Sequence, residues 1–586
     1  MTSNELREKF LIFFEKKGHN LVPSSSILPA DPSVLFTTAG MQQFKEYYLG
    51  KPSPYGKNTA SCQKCFRTSD IEEVGDEIHL TFLEMLGNFS FGGYFKEEAI
   101  KLAYEFLFEK LKLPLEEAIF TVFEGDKDVS TDEESILIWK KIGVPESKIK
   151  KCARKDNFWG PTGEEGPCGP NTEIHIKGTE VWNLVFNEYY QDKQKNLTLL
   201  KQNGVDTGMG LERLAMIVQN KPSVFETDLF KPIIDELGKQ SGYDYKIDSK
   251  LLNTRVFRII ADHIKSAVFL ISEDILPSNI ERGYVLRKLL RRAIVYGNIG
   301  PQKMENFLIP LAKNVINIYK DIYPEVKSKE ADILTVIQNE EERFEKVLVE
   351  SLKKAEEVFD WWNKIKSQDI ENTKELAEKS FLLEQSDGLP VDLFTERLEK
   401  FWNEKIIHKD KFLDFIKELR EKHKEISRVG MEKKFRGGLA DNTEQVVKYH
   451  TTTHLLLAAL REILGPEIYQ KGSNITAERL RFDFNYPEKL SEEQIKKIED
   501  LVNEKIKENI MVEMVELSKN EALKIAKISF DPLKYGEIVK VYKIGDFSIE
   551  LCGGPHVEKT GALGFFKIIK EESSGAGVRR IRAILE

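Results

Sequence analysis

The sequence predicts a multidomain α+β protein. At 586 residues the chain exceeds what one hydrophobic core organises. Residues 1–240 interleave short β-rich runs with helices, without a regular βαβ repeat. From about 250 to 428 strand signals nearly vanish and long charged helices take over, and a mixed pattern returns after 435. These shifts place domain boundaries at 1–240, 241–434 and 435–586.

The elements follow from spacing. Residues 4–17 carry Leu6, Phe10, Phe13 and Phe14 at amphipathic-helix intervals. Runs 119–123, 173–176 and 181–186 read as strands, and 65–95 reads as a strand, a polar loop and a returning strand. Helices are predicted over 256–271, 284–296 and 331–362. The Gly- and Asx-rich segment 435–444 reads as a connector, and Asp441 with Glu444 resembles a capping box opening the next helix.

Composition bounds the function only loosely. Hydrophobic residues make up 41% and charged residues 31%, with no apolar run near the roughly 18 residues of a membrane span. No membrane partner is expected. The N-terminus MTSNELREKF does not read as a signal peptide, and five cysteines suggest no disulfide framework, so a cytoplasmic location is expected. Net charge is −9, from 87 basic and 96 acidic residues, which disfavours coating nucleic acid through bulk charge but permits local basic patches.

Three segments of the first domain stand out together. In 65–95, Arg67 leaves one strand opposite aromatics on the other, an arrangement able to clamp a phosphate while a base stacks on a ring. VWNLVFNEYY, 181–190, is an apolar strand with polar interruptions, and DTGMGLERLAMI, 206–217, runs through two glycines into a helix bearing Arg213. Alone, the last is an ordinary structural turn: Gly208 and Gly210 form neither a Walker loop nor a dinucleotide fingerprint. In this order, with PSSSILPADPSVLFTTAGMQQFK at 23–45, the segments resemble the three motifs of class II aminoacyl-tRNA synthetases, and closely those of the alanyl-tRNA synthetase family.

The resemblance implies an antiparallel-sheet catalytic domain, a helical tRNA-binding domain and an α+β editing domain. It implies ATP, alanine and tRNA(Ala) as partners, with Mg²⁺ accompanying ATP. Carried over by position, Arg67 is expected on the α-phosphate and Arg213 on the adenine or γ-phosphate. His79 is expected near phosphate, and Phe82, ahead of Phe89, as the ring under the base. Trp159, Asn183, Val185 and Asp206 would form the alanine pocket, Asp206 taking the ammonium.

ERGYVLRKLLRRAIVYGN, 281–298, spaces Arg287 and Arg291 four apart, and Lys288 and Arg292 likewise, giving two adjacent basic stripes on a helix. An isolated run of this kind is usually a solvated face. The resemblance instead implies an acceptor-stem helix, preceded by an IADH motif at 260–263, with Arg287, Arg291 and Arg292 touching tRNA. Gln385 stands where relatives place an Asp that helps read the acceptor-stem G·U pair.

His450 and His454, four apart on a helix, share a face; Cys552 and His556 follow much later, with Gly553 and Gly554 expected to turn tightly between. Either pair alone is commonly packing. Together they make a plausible tetrahedral Zn²⁺ set, and they resemble the editing site of the family, in which Gln470 and Cys552 would belong to the hydrolytic pocket. Cys62 and Cys65 have no second pair and read as structural. Pro555 replaces a usual Thr. Compared with the family, a β-barrel insert between 435–444 and the His helix, and a C-terminal module after 586, are expected to be missing. That module supports dimerisation in relatives, so a monomer is the state left open. The leading reading is therefore alanylation of tRNA with proofreading. A synthetase-like RNA-binding or regulatory protein without catalysis, and a hydrolase of mischarged tRNA, are the alternatives.

Overall fold

A computed structural model describes residues 1–31, 33–243, 245, 251–298, 304–365, 369–389, 391, 409–434, 443–518, 521–522, 538–552, 554–575 and 577–586. The chain divides into two compact units, Met1–Leu413 and Asp414–Glu586.

The first unit is built on a nine-stranded sheet. Its strands are β1 (Asn20–Leu21), β2 (Asn58–Phe66), β3 (Phe82–Phe91), β4 (Ala118–Phe123), β5 (Ile149–Cys152), β6 (Phe158–Trp159), β7 (Gly166–Ile176), β8 (Thr179–Gln191) and β9 (Leu197–Gly210). The order is β1-β2-β3-β9-β8-β7-β4-β5, with β6 added to β7. Pairing is antiparallel except for β1–β2 and β4–β5, which are parallel. The predicted strands fall inside β4, β7 and β8, but β7 and β8 extend further than their apolar runs suggested. The N-terminal half of β9, rich in polar residues, was not foreseen.

Register decides which face does what. Val185 lies opposite Asp206 and Asn183 opposite Gly208, while Phe89 pairs with Asp206 from the other side. Because side chains alternate with a period of two, Leu83, Met85, Asn183, Val185, Asp206 and Gly208 share one face. Trp182, Leu184 and Phe186 point to the other face, where all three are buried. The helix Ser3–Lys16 covers part of it, its Phe10 ring 5.8 Å from Trp182 and 5.4 Å from Phe106. Each such ring, buried, contributes on the order of 2–3 kcal/mol. Thr2 and Glu5 close that helix's capping box, setting its start. Below the sheet, Arg7 pairs with Glu84 at 2.6 Å and Lys265 with Glu212 at 2.7 Å, compensating four charges that burial would otherwise make costly.

Gly169 shows how tightly backbone meets backbone. It pairs with Trp159 at the irregularity of β7, and a Cβ there would lie 1.8 Å from the carbonyl oxygen of Phe186. Gly169→Ala is expected to lower stability by about 1–3 kcal/mol, as overpacking does, and to displace Trp159. Denaturant titration reads the first effect and Trp159 fluorescence the second.

Helices Leu251–Ser272, Glu281–Gly297, Leu308–Tyr319, Glu330–Lys364 and Ile370–Asp387 follow, with no strand among the described residues of 251–391. Their facing sides bury Ile260, Ile264, Leu286, Leu290, Leu311, Val315 and Ile337. No described helix is long and apolar enough to cross a membrane.

In the second unit, helix Glu444–Leu464 and helix Glu492–Lys507 pack with a four-stranded sheet. Its strands are β10 (Gln470–Ile475), β11 (Leu480–Asn485), β15 (Phe566–Gly575) and β16 (Val578–Leu585), in the order β10-β11-β16-β15. A second sheet runs β12 (Val512–Ser518), β13 (Ile538–Ile544), β14 (Ser548–Leu551). Leu456, Phe482, Phe484, Ile498, Val502 and Ile581 form the core. Asp441, most of the 435–444 connector and Gly553 lie outside the described residues; Thr443 occupies the N-cap, with no side-chain cap bond.

Candidate functional site

On the open face of the large sheet lies a cleft of ≈ 290 Å³, and six residues expected at the active site line it together: Arg67, Trp159, Asn183, Val185, Asp206 and Arg213. Arg67 leaves β2, its Nε donating to the Thr38 carbonyl at 3.1 Å. Arg213 opens the helix Leu211–Val218, its Nη1 donating to Glu180 Oε2 at 3.0 Å. Asn183 is fixed from both ends: Asn171 Nδ2 donates to its Oδ1 at 2.6 Å, and its own Nδ2 donates to Glu173 at 3.3 Å.

Asp206 is the unusual group. It is 5% exposed and has no ion-pair partner among the described residues. Burial raises its pKa from 3.8 to about 8. That corresponds to on the order of 5 kcal/mol of penalty on the carboxylate, which an incoming cation would relieve. The sheet thus holds a buried acid waiting for a positive charge, beside two arginines suited to phosphate.

One expected member is placed differently. Phe82 is fully buried on the opposite face, its ring stacked on Phe269 at 3.8 Å, so it cannot lie under a base. Alternation explains this: one residue along β3, Leu83 lines the cleft instead. Phe89 is on the cleft face but covered by Phe44, 4.7 Å away. His79 sits between the lining residues Ile78 and Leu80 and is held by Asp76 and Glu73. Sequence reasoning missed Glu173 and Glu180, which also line the cleft. A polar residue at every second position of β7, from Asn171 through Glu173 to His175, was the available signal.

The basic helix Glu281–Gly297 is neither a solvated face nor an open row of cations. Arg292 is 1% exposed, its Nη1 donating to Glu72 at 2.7 Å, and Lys288 reaches the same carboxylate at 2.6 Å. The expected tRNA contact by Arg292 is thereby corrected, since a guanidinium buried in an ion pair cannot reach a phosphate. Arg287 and Arg291 share Glu340, at 3.3 and 2.9 Å, and Arg291 lies over the Phe344 ring. Both remain partly exposed. In the IADH segment, Asp262 accepts the Thr81 amide at 2.8 Å and His263 Nδ1 lies 2.9 Å from Asp262. Gln385 is half-buried in helix Ile370–Asp387, three residues before Gly388, where a Cβ would meet Arg291.

In the second unit the candidate ligand atoms of His450, His454, Cys552 and His556 all lie within 4.8 Å of one another. His450 and His556 bring Nε2 to 3.3 and 3.4 Å from Cys552 Sγ. A tetrahedral ion at 2.0–2.3 Å needs ligand separations of about 3.3–3.7 Å. Every outer ring nitrogen is engaged: His450 Nδ1 with the Pro555 carbonyl, His454 Nδ1 with Glu550, and His556 Nδ1 with Thr451 Oγ1. Such outer bonds fix each imidazole with its other nitrogen inward, as metal ligands require. Burial raises the Cys552 thiol, but the surrounding imidazoles outweigh it and hold it well below its ordinary value. Burial pushes His556 down to about 3, leaving it neutral. The residues fit a metal. Gln470 begins β10 opposite Phe484, and no described hydrogen bond joins it to this cluster. Glu550 and Thr451 were missed because neither has a spacing signature.

Fold and cleft together define a class of enzyme. A family model for class II tRNA synthetases (A) matches residues 5–464, and one for the second additional domain of threonyl and alanyl tRNA synthetases matches 539–582. Among curated relatives, the alanine–tRNA ligase of Treponema denticola is 45% identical over all of this chain and 99% of its own length. That of Borrelia hermsii is 44% identical over all of both chains. That of Dehalococcoides mccartyi strain BAV1 is 36% identical over all of this chain and 80% of its own. The chain belongs to the alanine–tRNA ligase family.

Proposed function

We propose that this chain activates alanine with ATP, transfers it to tRNA(Ala), and hydrolyses mischarged seryl- or glycyl-tRNA. The observation that carries the first activity is the convergence of Arg67, Arg213 and the unpaired Asp206 on one cleft. Asp206 would take the alanine ammonium while Val185 and Trp159 keep the side-chain space small. Asn183 would orient the substrate. Arg67 would bind the α-phosphate, where charge develops as the carboxylate attacks, and Arg213 the outer phosphates or the adenine. His79, at the loop's return, would approach phosphate. Mg²⁺ arriving with ATP would neutralise phosphate charge. Catalysis here is positioning and charge stabilisation more than proton transfer.

The division of labour follows the chain: aminoacylation in 1–240, tRNA recognition in 241–434 and editing in 435–586. Arg287 and Arg291 would face the acceptor stem near Gln385, an amide able to donate and accept. A pocket built for alanine cannot exclude glycine, which underfills it, and rejects serine poorly, since one hydroxyl is weakly discriminated by apolar walls. A second, hydrolytic site answers that limit. His450, His454, Cys552 and His556 would hold one Zn²⁺ there, with Gln470 at the pocket, and the ion would orient the seryl group or polarise a water. A cytoplasmic location suits these substrates.

Charging purified tRNA with each amino acid tests the whole reading. Alanine is expected to accumulate on tRNA(Ala) and serine to be attached transiently. ATP–pyrophosphate exchange absent with every amino acid would leave an RNA-binding protein instead.

A further inference from the structure

The loop joining β2 to β3, residues 67–81, starts with Arg67 and contributes Asp70, Ile78 and Leu80 to the cleft. It has no sheet partner of its own, and it is held from the helical region. One carboxylate oxygen of Glu72 accepts from Lys288 at 2.6 Å and the other from Arg292 at 2.7 Å. Further along, Arg258 donates to the Gly75 carbonyl at 3.3 Å and to Glu77 at 3.2 Å, and Asp262 accepts the Thr81 amide. Lys288 and Arg292 lie one helical turn apart, so one carboxylate can bridge both. Arg292, nearly solvent-free and lying along the Tyr296 ring, would be costly to bury without that anion.

We infer that Glu72 is a positioning residue for adenylate formation, clamped by Lys288 and Arg292 so that the loop presents Arg67 and Asp70 to the nucleotide. The inference rests on the reading of the cleft as the ATP and alanine site. Glu72 does not line the cleft, so it acts through the loop. An unclamped loop samples other conformations, and apparent affinity falls in proportion to the competent fraction. The residues assigned to alanine sit on strands β6, β8 and β9, where the loop's freedom does not reach. The two substrates should therefore respond differently.

The test is ATP–pyrophosphate exchange on the full chain. Glu72→Gln is expected to raise KM for ATP about tenfold, as a tenfold drop in competent loop would. KM for alanine should stay within about twofold, while the melting temperature falls because buried Arg292 loses its anion. Glu72→Asp, which keeps the charge, should recover part of the ATP affinity. Arg292→Gln leaves Lys288 on Glu72 and should raise KM for ATP less than Glu72→Gln, and adding it to Glu72→Gln should raise KM for ATP no further, because Glu72→Gln already breaks the Arg292 pair. Lys288→Gln leaves Arg292 paired and offers a milder cut if those variants fold poorly; it should still raise KM for ATP measurably. An unchanged KM for ATP in folded Glu72→Gln or Lys288→Gln would overturn the inference. So would equal rises for ATP and alanine. Absence of exchange in the wild-type chain would instead remove the reading of the cleft itself.

Discussion

Asp206→Ala is expected to abolish alanine-dependent pyrophosphate exchange while the protein stays folded. The carboxylate lies between Phe89 and Val185 on the central strand β9, and burial alone lifts its pKa from 3.8 to about 8. In the free protein at neutral pH it is largely protonated. Binding an ammonium requires its proton to leave, so KM for alanine should fall as pH rises toward 8, then level off. The stability effect has the opposite sense. From about pH 4 to about 8 the unfolded chain has released a proton the native chain still holds, so this residue makes stability decline with rising pH across that window. Asp206→Asn should remove that decline, leave the protein at least as stable at pH 8, and still lack exchange. Near-normal exchange in either variant would sink the assignment, and a pH-independent KM for alanine in the wild type would contradict its chemistry.

The second large effect concerns Cys552. Its sulfur lies 3.3 Å from His450 Nε2 and 3.4 Å from His556 Nε2, and it is the one anionic donor of the four. Cys552→Ala should deplete bound zinc, measured by elemental analysis, and slow hydrolysis of seryl-tRNA by at least the 10–100-fold that loss of even an outer-shell partner produces. Alanine activation, assigned to residues in Met1–Leu413, should be spared. Glu550→Gln, which weakens the bond orienting His454, should lower zinc affinity by about 10–100-fold without removing a ligand. A native protein free of metal would end the zinc assignment. A zinc-loaded protein that leaves seryl-tRNA intact would end only the assignment of hydrolysis.

What the sequence by itself determined was local and ordered. The spacing of Leu6, Phe10, Phe13 and Phe14 specifies the helix Ser3–Lys16, because 3.6-residue periodicity is a property of neighbours along the chain. The same holds for His450 and His454 on one face of Glu444–Leu464. The order of such segments was enough to reach the family. Only the tertiary structure decided which face of each element meets what. Periodicity puts Lys288 and Arg292 side by side, but not whether water, phosphate or protein lies opposite. The answer, Glu72, is 216 residues from Lys288 along the chain. Phe82 and Leu83 differ by one step of a strand, and the register of β3 against β9 sends one into the core and the other to the cleft. Glu550 and Thr451 orient histidines from about 100 residues away, and nothing in their local pattern marks them. Local periodicity is written in consecutive residues; burial, pairing and the pKa of Asp206 arise only when distant segments exclude water together.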